Sequence, residues 1–271
     1  MRNSALEYLV NVPLKAIGLQ LNRVSSVARL EAQIRDLKSA RHENDVYTAI
    51  AQYRCEHEYK KQQVKLNERT AEYGFALECL RQVRTETVLD VGTGLTAWPA
   101  VLRNCGYNVT ATDSMDGYWG HEIFNRHFHI VKDDITDSHL SQWFDVVTCI
   151  STLEHIPDHT AALRNMVRLL KPGGCLVITV PYCEYRHIDN VYLEPGAGYG
   201  QDRRYICRVF SRHDLDGWQA MFPARLVSQA YYQVFTGEFW TFGTRISPPV
   251  KVDVSQPHQL TGVMLQRRQD A

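Results

Sequence analysis

A two-glycine turn and a later carboxylate carry the clearest chemical signal in this 271-residue chain. The apolar stretch 88–91 contains Asp90 and runs directly into Gly92 and Gly94. Glycine is needed where a chain turns sharply and where a ligand lies against the backbone. Asp113 follows at about the twenty-residue spacing at which nucleotide-binding α/β folds place a carboxylate on ribose hydroxyls. The pattern predicts a nucleoside-binding crevice.

The glycine turn alone leaves other cofactors open. A nicotinamide-dependent oxidoreductase or a sugar-nucleotide epimerase would use the same general fold. However, Thr96 and Ala97 stand where the third glycine of the dinucleotide fingerprint would approach a pyrophosphate. No Tyr-x-x-x-Lys pair follows a strand of the domain. The turn therefore suits a ligand without phosphates.

Five motifs in one order make the chain similar to the class I methyltransferase family over about residues 67–267. These are the Asp-x-Gly-x-Gly turn, Asp113, the run Asp133-Asp134-Ile135, the strand 144–147 leading to 151–156, and the turn 169–174. The resemblance implies S-adenosylmethionine as cofactor. It implies that the glycine turn holds the amino-acid end, that Asp113 takes the ribose and that Asp134 takes the adenine amino group. The cofactor-binding set implied is Asp90, Gly92, Thr93, Gly94, Asp113, Ser114, Met115, Asp133, Asp134, Ile135 and Ser151.

Methyl transfer needs an aligned acceptor and, for a hydroxyl, a base. His155 follows the fourth strand, and its ordinary pKa of about 6.5 suits proton transfer at neutral pH. The alternative is that His155 only bonds the backbone or borders the cofactor. His187 and Asp189 are further catalytic candidates, with divalent metal binding as their alternative role, although no compact ligand set is evident.

The stretch 181–210 has no clear period and is predicted to be a substrate-binding insertion, because long connections in compact domains are usually functional. Its aromatic and charged side chains suit a polyhydroxylated acceptor. It also loosely resembles methyltransferases of bacterial glycan assembly, which favours a sugar hydroxyl or amine over a phenolic or polyketide acceptor. The substrate-binding candidates are Tyr182, Tyr185, His187, Tyr199 and Tyr205.

The elements that must position these residues alternate as strand and helix, which predicts a Rossmann-like α/β domain over 67–271. We expect a seven-stranded, mostly parallel sheet with helices on both faces. The expected strands are 88–91, 108–112, 129–131, 144–150, 175–180, 224–234 and 261–265, the last two forming an antiparallel pair. Helices are expected at about 67–83, at 160–170 and after Ser211, where Asp214 completes a capping box.

Residues 1–66 lack strand-like alternation and predict a helical extension. Val27, Leu30, Ile34 and Leu37 form one apolar stripe. The stripe would pack on the catalytic domain or on the same helix of a second subunit, so a homodimer remains open.

The amino-acid composition limits the classes of binding partner and the cellular compartment that we expect. Thirty basic and thirty acidic side chains leave no net charge, which argues against nucleic acid and leaves a small-molecule acceptor. Seven cysteines without a C-x-x-C pair argue against a disulfide framework and a thiolate zinc site, and favour the cytoplasm. No apolar run reaches the length of a membrane span, and no signal peptide is expected. A catalytically inactive scaffold on the same fold is the remaining alternative.

Overall fold

The computed structural model describes residues 67–115, 125–198, 200 and 205–269, together with Val46 and Ile50. By backbone contacts the chain divides into two compact units, Met1–Val46 and Tyr47–Ala271. The predicted apolar stripe between Val27 and Leu37 lies outside the described residues, as does Tyr199. The description therefore concerns the second unit.

Strands and helices alternate through the described part of the second unit, as predicted. The α-helices are α1 (Glu68–Gln82), α2 (Trp98–Asn104), α3 (His159–Arg168) and α4 (Arg212–Met221). The strands are β1 (Thr87–Val91), β2 (Asn108–Asp113), β3 (Ile130–Lys132), β4 (Phe144–Ile150), β5 (Leu170–Pro181), β6 (Ala224–Phe235), β7 (Arg245–Val252) and β8 (Leu260–Arg267). The capping box of Ser211 and Asp214 at the start of α4 is confirmed.

The strands form one mixed sheet in the order β3-β2-β1-β4-β5-β8-β6-β7. Strands β1 to β5 are parallel, whereas β8, β6 and β7 continue the sheet through antiparallel pairs. The chain runs outward from β1 to β3 and then returns to place β4 on the other side of β1. Ligands of open α/β sheets bind outside the carboxyl ends of the strands at such a reversal. The fold therefore opens a crevice beside the turn after β1.

The prediction of seven strands is wrong by one, because the sheet has an eighth, β7. Pro248 and Pro249 lie inside β7, and proline normally argues against a strand because it cannot donate to the ladder. Strand β7 tolerates them as the edge strand of the sheet, hydrogen-bonded only to β6.

The fifth strand also begins earlier than expected. Residues 171–174 were predicted as a turn before it, but Leu170 already pairs with Phe144. The register then shifts before Val146 pairs with Cys175, so the glycine-containing turn is absorbed as an irregularity inside a longer strand.

Alternate residues of the strands contribute to two hydrophobic cores, one on each face of the sheet. Val88 and Val146 pack with α1 and α2, whereas their neighbours Leu89 and Val147 pack with α3 and α4. This confirms the expectation of helices on both faces. None of the described helices is long and apolar enough to cross a membrane.

The described parts of the stretch 181–210 fold against the sheet and its turns. Ile188 pairs with Val209, and the Val191 amide donates to the carbonyl of Cys207 at 2.8 Å. The amide of Arg208 donates to the Glu154 carbonyl at 3.0 Å. These bonds place the segment against the turn that follows β4.

Candidate cofactor and acceptor site

The turn after β1 requires glycine at its first position. Gly92 has φ of 72°, and a Cβ placed there would lie 2.1 Å from Cγ2 of Thr152. Gly94 has φ of 54°, but a Cβ at this position would meet nothing within 4 Å. Gly92 thus serves the close approach of two loops, whereas Gly94 faces open space where a ligand can lie.

Asp90 stabilises this turn through side-chain hydrogen bonds. Its buried carboxylate accepts hydrogen bonds from the Thr93 hydroxyl at 2.7 Å and the Thr148 hydroxyl at 2.8 Å. Burial raises the pKa of Asp90 to about 6, against the lowering effect of these two bonds. The side chain therefore joins β1, the turn and β4.

Asp113 ends β2 beside the same turn, as the sequence predicted. One carboxylate oxygen accepts from the Gly94 amide at 2.9 Å and the other from the Met115 amide at 2.8 Å. Met115 has φ of 56°, so the chain turns sharply directly after Ser114. The carboxylate is only half-buried and stands at the opening of the crevice.

The two neighbouring aspartates after β3 have different surroundings. Asp134 is exposed and caps the short 3-10 turn Ile135–Asp137, because its carboxylate accepts from the amide and hydroxyl of Thr136. One oxygen of Asp133 accepts from the His139 amide at 3.1 Å, while Oδ2 is buried and has no hydrogen-bond partner among the described residues. A buried oxygen without a hydrogen-bond partner is costly. Of the two aspartates, Asp133 is therefore the one with an oxygen available to accept a hydrogen bond from a ligand.

A small pocket opens beside the glycine turn. No sequence motif indicated its wall on α1, where Tyr73 stacks on Trp98 of α2 with ring centroids 4.5 Å apart. The only sequence signal for this wall was the position of α1 directly before β1. The lining residues are Arg69, Tyr73, Asp90, Val91, Gly92, Thr93, Thr96, Trp98 and Ile150.

Arg69 brings a cation to this pocket. Its NH1 group donates to the carbonyl of Ile150 at 2.9 Å and to a carboxylate oxygen of Glu72 at 3.2 Å. Among the described residues, no partner engages its Nε or NH2. Burial lowers the pKa of Arg69, but Glu72 and neighbouring acidic groups outweigh burial and hold it above its ordinary value. The guanidinium stays charged.

His155 lies at the end of the 3-10 turn that follows β4. Its Nδ1 atom is 2.6 Å from the carbonyl oxygen of Ile206, and its ring meets Tyr205 edge to face at 4.9 Å. Because a carbonyl only accepts, Nδ1 carries the proton and Nε2 presents a lone pair. Burial lowers the pKa of His155 to about 4, so the ring is neutral at pH 7.

Glu154 is a buried acid beside that histidine. Its Oε1 atom lies 3.7 Å from His155 Nε2, and its Oε2 atom has no hydrogen-bond partner among the described residues. Burial raises the pKa of Glu154 to about 8, with the nearby Glu72 adding to the shift. The side chain is therefore mostly protonated at neutral pH.

The structure places the other two catalytic candidates at the start of α4. His187 Nδ1 is 2.9 Å from the Asp214 carboxylate, which also forms the capping box, and Nε2 is 3.2 Å from Asp189. Asp214 is the main cause of the raised pKa of His187. Within the described residues, no group of three or more His, Cys, Asp or Glu side chains has a metal-binding arrangement.

The described tyrosines of the insertion are dispersed. Tyr182 is fully buried and donates to Glu184 at 2.8 Å, whereas Tyr185 is 71% exposed and bonds Glu238. Tyr205 alone of the three contacts the His155 ring, and it also meets Tyr192 edge to face at 5.7 Å. Of the described candidates, the insertion therefore brings one predicted acceptor-binding tyrosine into contact with His155.

Ser151 adopts a left-handed conformation, with φ of 42°. Its amide donates to the Thr179 carbonyl at 3.0 Å, and its hydroxyl donates to Glu72. The resemblance predicted Ser151 as a cofactor residue. In the structure it forms the junction between β4 and the turn that carries His155.

Comparison with known proteins agrees with this geometry. The profile of the family described as Methyltransferase domain matches residues 51–229, more than half of the chain. A ubiquinone biosynthesis O-methyltransferase of Psychrobacter arcticus is 30% identical over 181 residues, which cover 63% of this chain and 63% of that protein. Its counterpart in Psychrobacter cryohalolentis is 33% identical over 175 residues, which cover 60% and 61%. The chain thus spans less than two thirds of these relatives.

A solved structure shares the fold. TehB from Haemophilus influenzae matches with a TM-score of 0.50 and 13% identity, covering 72% of this chain and 62% of that one. The motif order, the crevice beside the reversal of the sheet and the family profile all agree. The chain belongs to the S-adenosylmethionine-dependent methyltransferase family.

Proposed function

We propose that this protein transfers the methyl group of S-adenosylmethionine to a hydroxyl of a small polar acceptor. The observation that carries the proposal is the meeting of the Gly92–Gly94 turn and the Asp113 carboxylate at one edge of the sheet. That edge offers backbone groups at close approach and a carboxylate suited to two ribose hydroxyls.

Three features of the crevice fit the cofactor. Gly94 leaves open space above the turn. Among the described residues, Asp133 Oδ2 is a buried acceptor without a partner, and Arg69 has an Nε and NH2 edge that no group engages. We assign the ribose to Asp113 and the carboxylate of the amino-acid end to Arg69. We assign the adenine amino group to Asp133 in place of Asp134, whose carboxylate already caps a turn.

The bound cofactor would supply a methyl group activated by the positive sulfonium. The protein then has to align the acceptor and remove its proton. In our proposal His155 Nε2 takes that proton, because the Ile206 carbonyl fixes the tautomer with its lone pair on Nε2. Glu154 lies 3.7 Å away and, once ionised, would stabilise the imidazolium.

The surroundings of His155 favour a phenolic acceptor, the alternative in the sequence analysis. A base of pKa about 4 is better matched to a phenol, with pKa near 10, than to an alcohol, which is far less acidic. Tyr205 adds an aromatic wall beside the base. The sugar acceptor loses support, because Tyr182 is engaged in the core and Tyr185 on the surface. The relatives named as ubiquinone biosynthesis O-methyltransferases favour oxygen as the methylated atom.

Calorimetric titration with S-adenosylmethionine and S-adenosylhomocysteine tests the cofactor site. We expect both to bind. A second assay follows methyl transfer to a matched panel of simple catechols and simple sugars, read by mass spectrometry. A methylated catechol with unmodified sugars supports the proposed acceptor, and the reverse overturns it. Absence of binding to either cofactor form would overturn the enzyme proposal itself.

A further inference from the structure

Glu72 is a fully buried carboxylate that no sequence motif singled out. It lies in the middle of α1 and is 0% exposed. Glutamate is almost never fully buried unless it is paired. Its partners come from three separate elements, namely Arg69 of α1, Ser151 after β4 and Thr179 of β5. Such a convergence needs an explanation beyond the packing of one helix.

One oxygen of Glu72 supports the strained turn after β4. Oε1 accepts from the Ser151 hydroxyl and from the Thr179 hydroxyl at 2.9 Å. Ser151 has a left-handed backbone, which persists in residues other than glycine only where the surroundings enforce it. The carboxylate thereby ties this turn to the neighbouring strand.

The other oxygen holds the pocket cation. Oε2 lies 3.2 Å from NH1 of Arg69, the nitrogen that also donates to the Ile150 carbonyl. Both contacts use the same nitrogen and orient the guanidinium group. No group among the described residues engages its Nε and NH2 edge. Planar guanidinium groups bind carboxylates best through two parallel bonds.

We propose that Glu72 is a positioning residue, which orients Arg69 to receive the carboxylate of the amino-acid end of S-adenosylmethionine and fixes the adjoining turn at Ser151. The inference rests on the proposed cofactor site. Recognition of the amino-acid end of the cofactor would then depend on α1, which contains none of the motifs named in the sequence analysis.

The substitution Glu72→Gln distinguishes the orienting effect of Glu72 on the Arg69 guanidinium from the effect of its negative charge. Glutamine keeps the size of the side chain and can still accept from Ser151 or Thr179. Its amide group would face the Arg69 donor, so the guanidinium would lose its orienting contact. Removal of a nearby negative charge would by itself strengthen carboxylate binding, whereas loss of orientation would weaken it. The two effects have opposite signs.

The experiment compares two probes by calorimetry, S-adenosylhomocysteine and 5′-methylthioadenosine, which lacks the amino-acid end. For Glu72→Gln we expect S-adenosylhomocysteine to bind about tenfold or more weakly, the loss typical of a misplaced charged hydrogen bond. Binding of 5′-methylthioadenosine should stay at the wild-type level. Glu78→Gln is the matched control on the same helix, since Glu78 is exposed and pairs with Lys251.

A double substitution sharpens the test. If Glu72 acts through Arg69, Glu72→Gln should add little to the loss already caused by Arg69→Gln. Equal or tighter binding of S-adenosylhomocysteine by Glu72→Gln overturns the inference, as does an equal loss for both probes, which would indicate a general structural role. If the wild-type protein binds neither probe, the cofactor site itself is wrong, and this outcome is distinct from failure of the inference.

Discussion

The residues predicted to bind the cofactor and those predicted to bind the acceptor differ in how directly sequence maps onto geometry. Among the former, Gly94 and Asp113 follow adjacent strands and meet within hydrogen-bond distance, as their spacing predicted. The residues predicted for the acceptor lie apart from one another. His155 lies beside Tyr205, while His187 caps a helix and Tyr185 reaches the surface.

The difference has a simple origin. Residues at the carboxyl ends of neighbouring parallel strands share one edge of the sheet whatever the rest of the chain does. The described residues of the insertion 181–210 are positioned by contacts with the turn after β4, with α4 and with the loop before β7. A cofactor site can therefore be predicted from motifs, but the acceptor site depends on packing.

Substitution of His155 should have the largest effect among the tests of this difference between the cofactor and acceptor residues. With the acceptor found in the panel, His155→Ala should lower kcat by about 10² to 10⁴-fold, the usual contribution of a general base. Affinity for S-adenosylhomocysteine should change little. The control His187→Ala should keep its turnover and lose thermal stability, since α4 loses a partner of Asp214. Equal losses of kcat in both variants would contradict the separation of the two histidines.

Glu154 provides a test through pH. Its folded pKa of about 8 exceeds the ordinary 4.5. The protonated acid therefore stabilises the fold fully below about pH 4.5, and this contribution is lost as the pH rises through about 8. The loss is on the order of a few kcal/mol. Denaturant unfolding at pH 5 and pH 8.5 should show this slope in the wild type.

The variant Glu154→Gln should flatten that dependence of the free energy of unfolding on pH. Glu86→Gln is the control, because Glu86 is exposed and pairs only with Arg84 at the surface. A slope that persists in Glu154→Gln would assign the pH dependence to another group.

At the cofactor end, Asp113→Ala should weaken S-adenosylhomocysteine binding by about 1 to 3 kcal/mol through loss of charged hydrogen bonds. Calorimetry measures the effect. Asp137→Ala, a change at an exposed aspartate of the next loop, should leave affinity unaltered. Unchanged affinity of the Asp113 variant would show that the ribose lies elsewhere.

The finest comparison is between adjacent aspartates. Asp133→Ala should weaken S-adenosylhomocysteine binding by about 1 kcal/mol, because it removes the buried acceptor without a partner. Asp134→Ala should lower the melting temperature slightly and leave affinity unchanged, since it removes only the cap at Thr136. The reversed pattern would restore the residue choice implied by the resemblance.

Much of the fold could be read from local sequence. Strand β4 has the predicted bounds 144–150, and β1 and β2 each differ by one residue. Strands β1 and β4 are largely apolar and almost wholly buried, which leaves a strong signal, whereas β2 is marked by its β-branched residues. The misplaced start of β5 and the missing β7 share a cause, since glycine and proline indicate turns locally but are tolerated at irregularities and sheet edges.

The sequence by itself determined the parallel sheet, the glycine turn, the carboxylate at the end of β2 and the family that these motifs indicate. Only the tertiary structure decided which aspartate after β3 keeps an oxygen without a partner among the described residues, which histidine contacts the Ile206 carbonyl and which buried acid holds Arg69. Motif spacing records contacts along one strand and its turn. The contacts of His155 with Ile206 and of Glu72 with Ser151 and Thr179 join residues distant in sequence, and their approach depends on how the whole sheet is packed.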